Sequence, residues 1–372
     1  MKFIHLSDLH LGRRVNEFSM LEDQRHILGE ILRVAREQAP GALLVSGDIY
    51  DKAVPCVEAV QLLEEFLVRL HALGIAVLMI AGNHDSAQRV AFAAPLLGQS
   101  GVHIARAFDG TFAPVRLQGI DFWLLPYLKP AQLRRFYPET EINSYNDALS
   151  AVFACIELDI SCRNVLLCHQ FVTGAQPSES EELSIGGAEN VDAALFGAFD
   201  YVALGHLHRP QHVTRETLRY CGTPLKYSFS EAGHKKTLTL VEIADEISVT
   251  EIPLVPKRDM RVVKGSYEEI VKRENYIDTN TDDYMHITLT DEEAVPDAFA
   301  KLRVIYPNLM KLDYDNRRTR ARHVIGGAGH SERKPPLELF GELYALQNGQ
   351  AMSDTQTRYA RDLFTEIWEN EA

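Results

Sequence analysis

Seven side chains in the first 210 residues have the types and spacing to hold metal. They are Asp8, His10, Asp48, Asn83, His169, His206 and His208, carried by the short segments SDLH, SGDIYD, AGNHD, CHQ and GHLH. Taken singly, each segment is ordinary. A strand-end aspartate caps a helix, an H-x-H pair sits on a surface, and Gly-Asn or Gly-Asp makes a turn. Together they bring carboxylate, imidazole and amide groups directly behind successive apolar runs. Seven ligands are too many for one ion that keeps an open position. They suit two divalent ions sharing a carboxylate. D-x-H and H-x-H on extended segments would each place both side chains on one face, since strand side chains alternate with period two. Two divalent ions outweigh two ligand carboxylates, so the site keeps a positive charge that attracts phosphate and stabilises an attacking hydroxide. Paired ions ~3.5–4 Å apart suit in-line displacement at phosphorus.

The elements that must position these groups are legible as a pattern. Short apolar runs at Phe3–Leu6, Ala42–Val45, Ala76–Ile80, Phe122–Leu125, Val165–Cys168 and Tyr201–Leu204 read as strands. Between the first two, Leu21, Ile27, Leu28, Ile31, Leu32 and Ala35 recur at helical spacing. The stretch VEAVQLLEEFLVRLHALG repeats that spacing and stops at Gly74. Strands alternating with helices imply α/β layers, and functional groups then gather outside the carboxyl ends of strands. The five clusters are expected to converge on one edge. Two prolines in PLVPKRDM mark a boundary, and a smaller mixed unit follows, with a helix at Ala294–Tyr306 and a strand in YMHITLT. GGAGHSERKPP (326–336) has linker composition. The tail, 337–372, reads as two helices around Asn348-Gly349. Its apolar residues include Leu337, Phe340, Leu343 and Tyr344 in the first helix, and Tyr359, Leu363, Phe364, Ile367 and Trp368 in the second.

The 372 residues suggest more than one domain. A net charge of −14 disfavours a free-standing nucleic-acid coat protein, but it leaves open an enzyme that meets nucleic acid through metal ions. The five cysteines form no C-x-x-C pair and read as buried thiols in a reducing compartment. No apolar stretch is long enough for a membrane helix, and MKFIHLSDLH turns polar too early for a secretory signal. The expected location is cytoplasmic, with no membrane partner. The basic run NRRTRARH at 316–323 is either a contact for nucleic-acid phosphates or a solvated edge, and Arg209 and Lys226 sit nearer the proposed site with their roles open.

In this order, D-x-H, G-D-x-x-D, G-N-H-D, H and G-H-x-H resemble the calcineurin-like metallophosphoesterase superfamily. The resemblance implies one ion on Asp8, His10, Asp48 and His208. It implies a second on Asp48, Asn83, His169 and His206, with Asp48 bridging. It makes His84 the group that protonates the leaving oxygen or stabilises the transition state, with Asp51 orienting it. A carboxylate beside a histidine favours the imidazolium form that an acid needs. FIHLSDLHLG, GDIYDKAVP, AGNHDS, GHLHRPQ and above all YCGTPLKYSFSE resemble, more narrowly, the SbcD nuclease family.

That narrower resemblance implies an α/β fold: a layered β-sandwich flanked by helices, a small α+β capping domain and a helical tail. The domains are then 1–255 for phosphoester cleavage and 256–325 for capping and DNA contact, with a linker at 326–336. It implies two divalent ions, Mn²⁺ foremost, since imidazole and carboxylate ligands suit manganese or iron and also admit zinc. It implies exonuclease and ATP-dependent endonuclease action on double-stranded ends and hairpins, in DNA repair, recombination and replication. The partners implied are DNA, a second copy of the chain, and an SbcC-type ATPase gripped by 337–372, giving a heterotetramer. Phe340, Tyr344, Phe364 and Trp368 are the expected anchors. A small-molecule phosphodiesterase and an inactive DNA-end tethering scaffold are the competing readings.

Overall fold

A computed structural model describes residues 1–178, 181, 190–317, 319, 336–348 and 350–370, with backbone alone at 336, 346–348 and 366–370. Two six-stranded mixed sheets lie face to face with helices on their outer sides. The first runs Ile247–Pro253, Thr237–Ile243, Lys2–Leu6, Ala42–Ser46, Ala76–Ile80 and Val102–Ile104. The strand Lys2–Leu6 pairs parallel with Ala42–Ser46 and antiparallel with Thr237–Ile243. The second sheet runs Gln211–Val213, Arg215–Tyr220, Tyr201–Gly205, Arg163–His169, Ile120–Leu125 and Val115–Leu117.

Every run named from the sequence as a strand is one. The hairpin Thr237–Ile243/Ile247–Pro253, which extends the first sheet, was not anticipated. Its second strand is half polar and lies largely at the surface, so it lacks the continuous apolar signal of the inner strands.

Strand alternation builds both cores. Ile4, Leu6, Leu43, Val45, Val77 and Met79 face outward, against the helices Leu21–Gln38 and Val57–Ala72. Phe3, Ala42, Leu44, Leu78 and Ile80 face inward and meet Phe122, Leu124, Val165, Leu167, Tyr201 and Ala203 of the second sheet. Phe3 stands edge-on to Phe122 and Tyr201, with centroids 5.8 and 5.5 Å apart. Such pairs add ~0.5–1.5 kcal/mol beyond area burial. His5 ties the sheets together at the end of this core. Its Nε2 donates to the Leu204 carbonyl (3.2 Å), and its Nδ1 accepts from the Tyr201 hydroxyl (3.0 Å). Burial pushes its pKa down to about 3, so it is a neutral cross-tie.

After residue 259, three strands, Met260–Gly265, Tyr284–Leu289 and Leu309–Tyr314, are all parallel, with helices in both crossovers. This unit is fastened to the first helix. Arg258 donates to Asp23 (2.8 Å), and the Tyr284 hydroxyl donates to the same carboxylate (2.6 Å). The tail forms helices Pro336–Asn348 and Asp354–Asn370. All five cysteines are free, but only Cys168 and Cys221 are buried; Cys56 and Cys155 are exposed, which corrects the buried-thiol expectation for those two. Among the described residues no helix is long and apolar enough to cross a membrane.

Candidate metal centre

The five motif segments meet at the carboxyl ends of Lys2–Leu6, Ala42–Ser46, Ala76–Ile80, Arg163–His169 and Tyr201–Gly205. Three of these strands belong to one sheet and two to the other, so the site bridges the mouth of the sandwich and is not confined to one sheet's edge. Asp8, His10, Asp48, His169, His206 and His208 are all buried, and His84 keeps 19% of its side chain exposed at the opening.

D-x-H is not extended, contrary to the alternation argument. The strand ends at Leu6, and Asp8, His10 and Asp48 have φ of +53°, +43° and +48°. Left-handed backbone at three non-glycine residues is costly and persists only where surroundings enforce it. Here they do. The Asp8 and His10 N–H groups donate to the carbonyls of Gly47 and Asp48 (3.0 Å each), and Leu11 N–H donates to Ile49 (2.9 Å). The two ligand loops thus run side by side as a continuation of the parallel strand pair. Gln24 donates to the His10 carbonyl (2.7 Å), the Tyr227 hydroxyl donates to that of Leu9 (2.5 Å), and Asp85 accepts from the N–H groups of Ile49, Tyr50 and Gly82 at 2.9–3.0 Å.

All seven proposed ligands come together, in two clusters around Asp48. On one side His10 Nε2 lies 3.3 Å from His208 Nε2 and 3.7 Å from Asp48 Oδ2. On the other, His169 Nε2 lies 2.9 Å from Asn83 Oδ1 and 3.4 Å from Asp48 Oδ2, and His206 Nδ1 lies 3.1 Å from Asn83 Oδ1. His169 Nδ1 donates to the Ser46 carbonyl (2.8 Å). In a neutral ring this leaves a lone pair on Nε2 facing the lone pairs of two oxygens. A second proton on the ring or a metal ion between these groups makes that arrangement favourable. Burial alone would lower the His169 pKa, yet the Asp48 charge and hydrogen bond overcome it and raise it to about 9. The same convergence shows in Asp48, which burial would raise but His169, His84 and His10 hold well below the carboxylate range. Asp8, with burial dominant, is pushed up to about 6. Buried His10 Nδ1 and His206 Nε2 have no hydrogen-bond partner among the described residues. A donor set of imidazole nitrogens and carboxylate and amide oxygens, without thiolate, fits divalent manganese, iron or zinc.

Asp51 departs from its expected role. Its carboxylate accepts from Arg13 (2.9 Å), and His84 Nδ1 donates instead to the Asp51 backbone carbonyl (3.1 Å). The residue orients His84, but through its main chain. Arg13 itself lines the pocket with His84 and the ligands, stacked over Tyr227, and was not singled out in the sequence. Lys226 is held by Asp259 (2.8 Å) and Arg209 contacts Gln176 (3.3 Å). In the basic run, Arg317 pairs with Glu292 at 3.8 Å, and residues 318 and 320–323 lie outside the described residues, as does most of the 326–336 linker.

Glycines allow the close approach of the two sheets here. A Cβ on Gly205 would lie 1.8 Å from the Ser46 carbonyl oxygen and 2.7 Å from His169 Nδ1. Gly205→Ala is therefore expected to cost at least the ~1–3 kcal/mol typical of overpacking. It should also weaken metal binding, read as a lower denaturation midpoint together with reduced bound metal.

Residues 1–210 match the family described as calcineurin-like phosphoesterase, and residues 256–348 match a family described as type 5 capsule protein repressor C-terminal domain. The chain is 33% identical to the SbcD component of the nuclease SbcCD of Staphylococcus epidermidis over 321 residues, covering 84% of this chain and 85% of that one. Among solved structures, a dimetal phosphatase from Danio rerio is 13% identical with a TM-score of 0.43, covering 69% of this chain and 98% of its own. A Thermus thermophilus protein is also 13% identical, with a TM-score of 0.38, covering 67% and 98%. These two likenesses are too distant to carry an argument. The family matches and the long alignment to the staphylococcal nuclease component place the chain among the calcineurin-like phosphoesterases, which are metal-dependent phosphoester hydrolases, and within them in the SbcD family.

Proposed function

We propose that the chain is the metal-dependent DNA nuclease component of an SbcC–SbcD complex, cytoplasmic and acting on double-stranded ends and hairpins in repair, recombination and replication. The observation that carries the two-ion reading is Asp48 Oδ2, within 3.7 Å of His10 Nε2 and 3.4 Å of His169 Nε2, one nitrogen from each cluster. Asp8, His10 and His208 would hold one ion, Asn83, His169 and His206 the other, and Asp48 both. Two ions, Mn²⁺ in this reading, supply Lewis acidity and an activated water when bound. The chain's own part is to hold the ligands in fixed directions and to place His84 at the opening. There His84 donates through Nδ1 to a backbone carbonyl, which directs Nε2 toward the pocket. The domain division at 255 and 325 goes with this reading. The test is cleavage of a labelled DNA duplex with Mn²⁺, with and without the ATPase. A small-molecule phosphodiesterase would hydrolyse bis(p-nitrophenyl) phosphate but not DNA, and a tethering scaffold would bind ends and cut nothing.

Two apolar surfaces support the proposed partners. Val57, Val60 and Val68 on the second helix, with Phe92 and Leu96 beyond the G-N-H-D loop, are 44–81% exposed. They suit a two-fold pairing through helices of the phosphoesterase domain, which with two ATPases gives the heterotetramer. In the tail, Phe340 and Phe364 pack edge-on at 5.8 Å, so the two helices close partly on each other. Even so, Leu339, Phe340, Leu343, Tyr359 and Leu363 remain 40–69% exposed. Tyr344 accepts from Gln356 (2.9 Å), and the Trp368 side chain lies outside the described residues. Deleting 337–372 is expected to leave Mn²⁺-dependent cleavage of short DNA intact while weakening capture of the ATPase in a pull-down. Capture equal to that of the full chain would make these aromatics part of a self-contained helical hairpin.

A further inference from the structure

His208 is held on its main chain and its ring by residues outside the five ligand-bearing segments. Its N–H donates to Glu181 Oε1 (2.7 Å). Its carbonyl accepts from Lys236 Nζ (2.8 Å) and from the Thr223 N–H (3.2 Å). Its ring Nδ1 lies 3.3 Å from Glu231 Oε1. Glu231 is fully buried, in the short turn Phe229–Glu231. Its other oxygen accepts from Lys236 Nζ at 2.5 Å, and Lys236, itself buried, gives a further hydrogen bond to Thr223 Oγ1 (2.7 Å). The three donors of the ammonium thus have three acceptors, and the carboxylate has two donors. A buried ion pair is weak evidence for stability, because desolvation offsets its attraction. A pair so completely hydrogen-bonded, one shell behind a proposed ligand, calls for a role at the site.

From this geometry we infer that Glu231, with its charge offset by Lys236, is a positioning residue for the ion on the Asp8, His10 and His208 side. The inference rests on the two-ion reading above. A carboxylate can only accept from Nδ1, so His208 is fixed as the Nδ1–H tautomer. Its Nε2 lone pair then points at His10 Nε2, 3.3 Å away. The other cluster is built differently: His169 Nδ1 donates to the uncharged carbonyl of Ser46 (2.8 Å). A carboxylate behind a ligating histidine raises its basicity as well as fixing its direction. The two ion positions are therefore tuned by different partners, and removing Glu231 should affect one of them.

The test is a Mn²⁺ titration of the full chain followed by the electron paramagnetic resonance of free Mn²⁺, with thermal melts to establish folding. The wild-type chain should bind two ions. Glu231→Gln should bind one as before and the other ~10–100-fold more weakly, the usual loss for an outer partner of a metal ligand. That variant leaves the Lys236 ammonium without its counter-ion. The double variant Glu231→Gln with Lys236→Met removes the stranded charge and frees the amide oxygen for His208 Nδ1. It should bind the weakened ion more tightly than the single variant does. A folded variant that binds both ions as the wild type does would overturn the inference. So would equal weakening of both ions, or loss of folding in both variants, which would make the pair part of the core. A wild-type chain that binds fewer than two ions would instead overturn the two-ion reading.

Discussion

Asp48→Ala is expected to abolish phosphodiester hydrolysis and to strip the chain of metal through dialysis. Both carboxylate oxygens are committed. Oδ1 accepts from the His84 N–H (2.9 Å) and so pins the G-N-H-D loop, while Oδ2 faces His10 Nε2 and His169 Nε2. Alanine removes the loop contact and the shared ligand together. Asp48→Asn separates the two effects, because its amide oxygen can still accept from His84 N–H but its charge is gone. The asparagine variant should fold with a near-native melting curve and still fail to retain the ions. Its loss of turnover should exceed the ~10–100-fold typical of removing an outer partner of a ligand. Elemental analysis of dialysed protein, beside hydrolysis of a labelled oligonucleotide, reads both quantities. A folded Asp48→Asn chain with two bound ions and wild-type turnover would end the bridging assignment.

The seven proposed ligands were legible because their chemistry is local: each sits within four residues of a buried strand end, and apolar runs announce such strands. The path of the chain between strand and ligand was not legible. Asp8, His10 and Asp48 take left-handed backbone that is uncommon for any non-glycine residue, and they hold it because neighbouring loops bond main chain to main chain. Period-two reasoning therefore picked out residues that do converge, but for a reason that does not apply. Asp51 shows the same limit. Sequence pairs a carboxylate with a histidine, whereas the fold gives that carboxylate to Arg13 and offers His84 a carbonyl. Glu231 and Lys236 were invisible in another way. They follow His208 by 23 and 28 positions, and a lone Glu or Lys in a loop carries no periodic signal. YSFSE did stand out as part of a family resemblance, but only the folded arrangement gives its glutamate a task. The exposed hairpin strand Ile247–Pro253 was missed because an edge strand half in water has no apolar run to read.

His84→Ala is expected to keep both ions and to lose most turnover on DNA. His84 Nε2 stands 3.9 Å from Asp48 Oδ2, farther than His169 Nε2 at 3.4 Å, and its ring is partly exposed at the opening while the proposed aspartate and histidine ligands are buried. With Nδ1 donating to the Asp51 carbonyl, Nε2 carries a proton only in the imidazolium form, and in the proposed role that proton goes to the leaving oxygen. A general acid is worth ~10²–10⁴-fold. The loss should depend on the leaving group. An alkoxide from DNA needs the proton and p-nitrophenolate does not, so His84→Ala should impair DNA cleavage far more than hydrolysis of a p-nitrophenyl phosphodiester. Asp51→Asn should cost much less than His84→Ala, since the carbonyl that orients His84 survives the substitution and what is lost is the Arg13 ion pair and a longer, 3.9 Å approach to His10 Nδ1. An equal loss on both substrates together with a missing ion would make His84 a ligand, an outcome its place beside His10 and Asp48 gives a definite geometry. An Asp51→Asn variant as impaired as His84→Ala would return the orienting role to the carboxylate and require Arg13 to release it during the reaction.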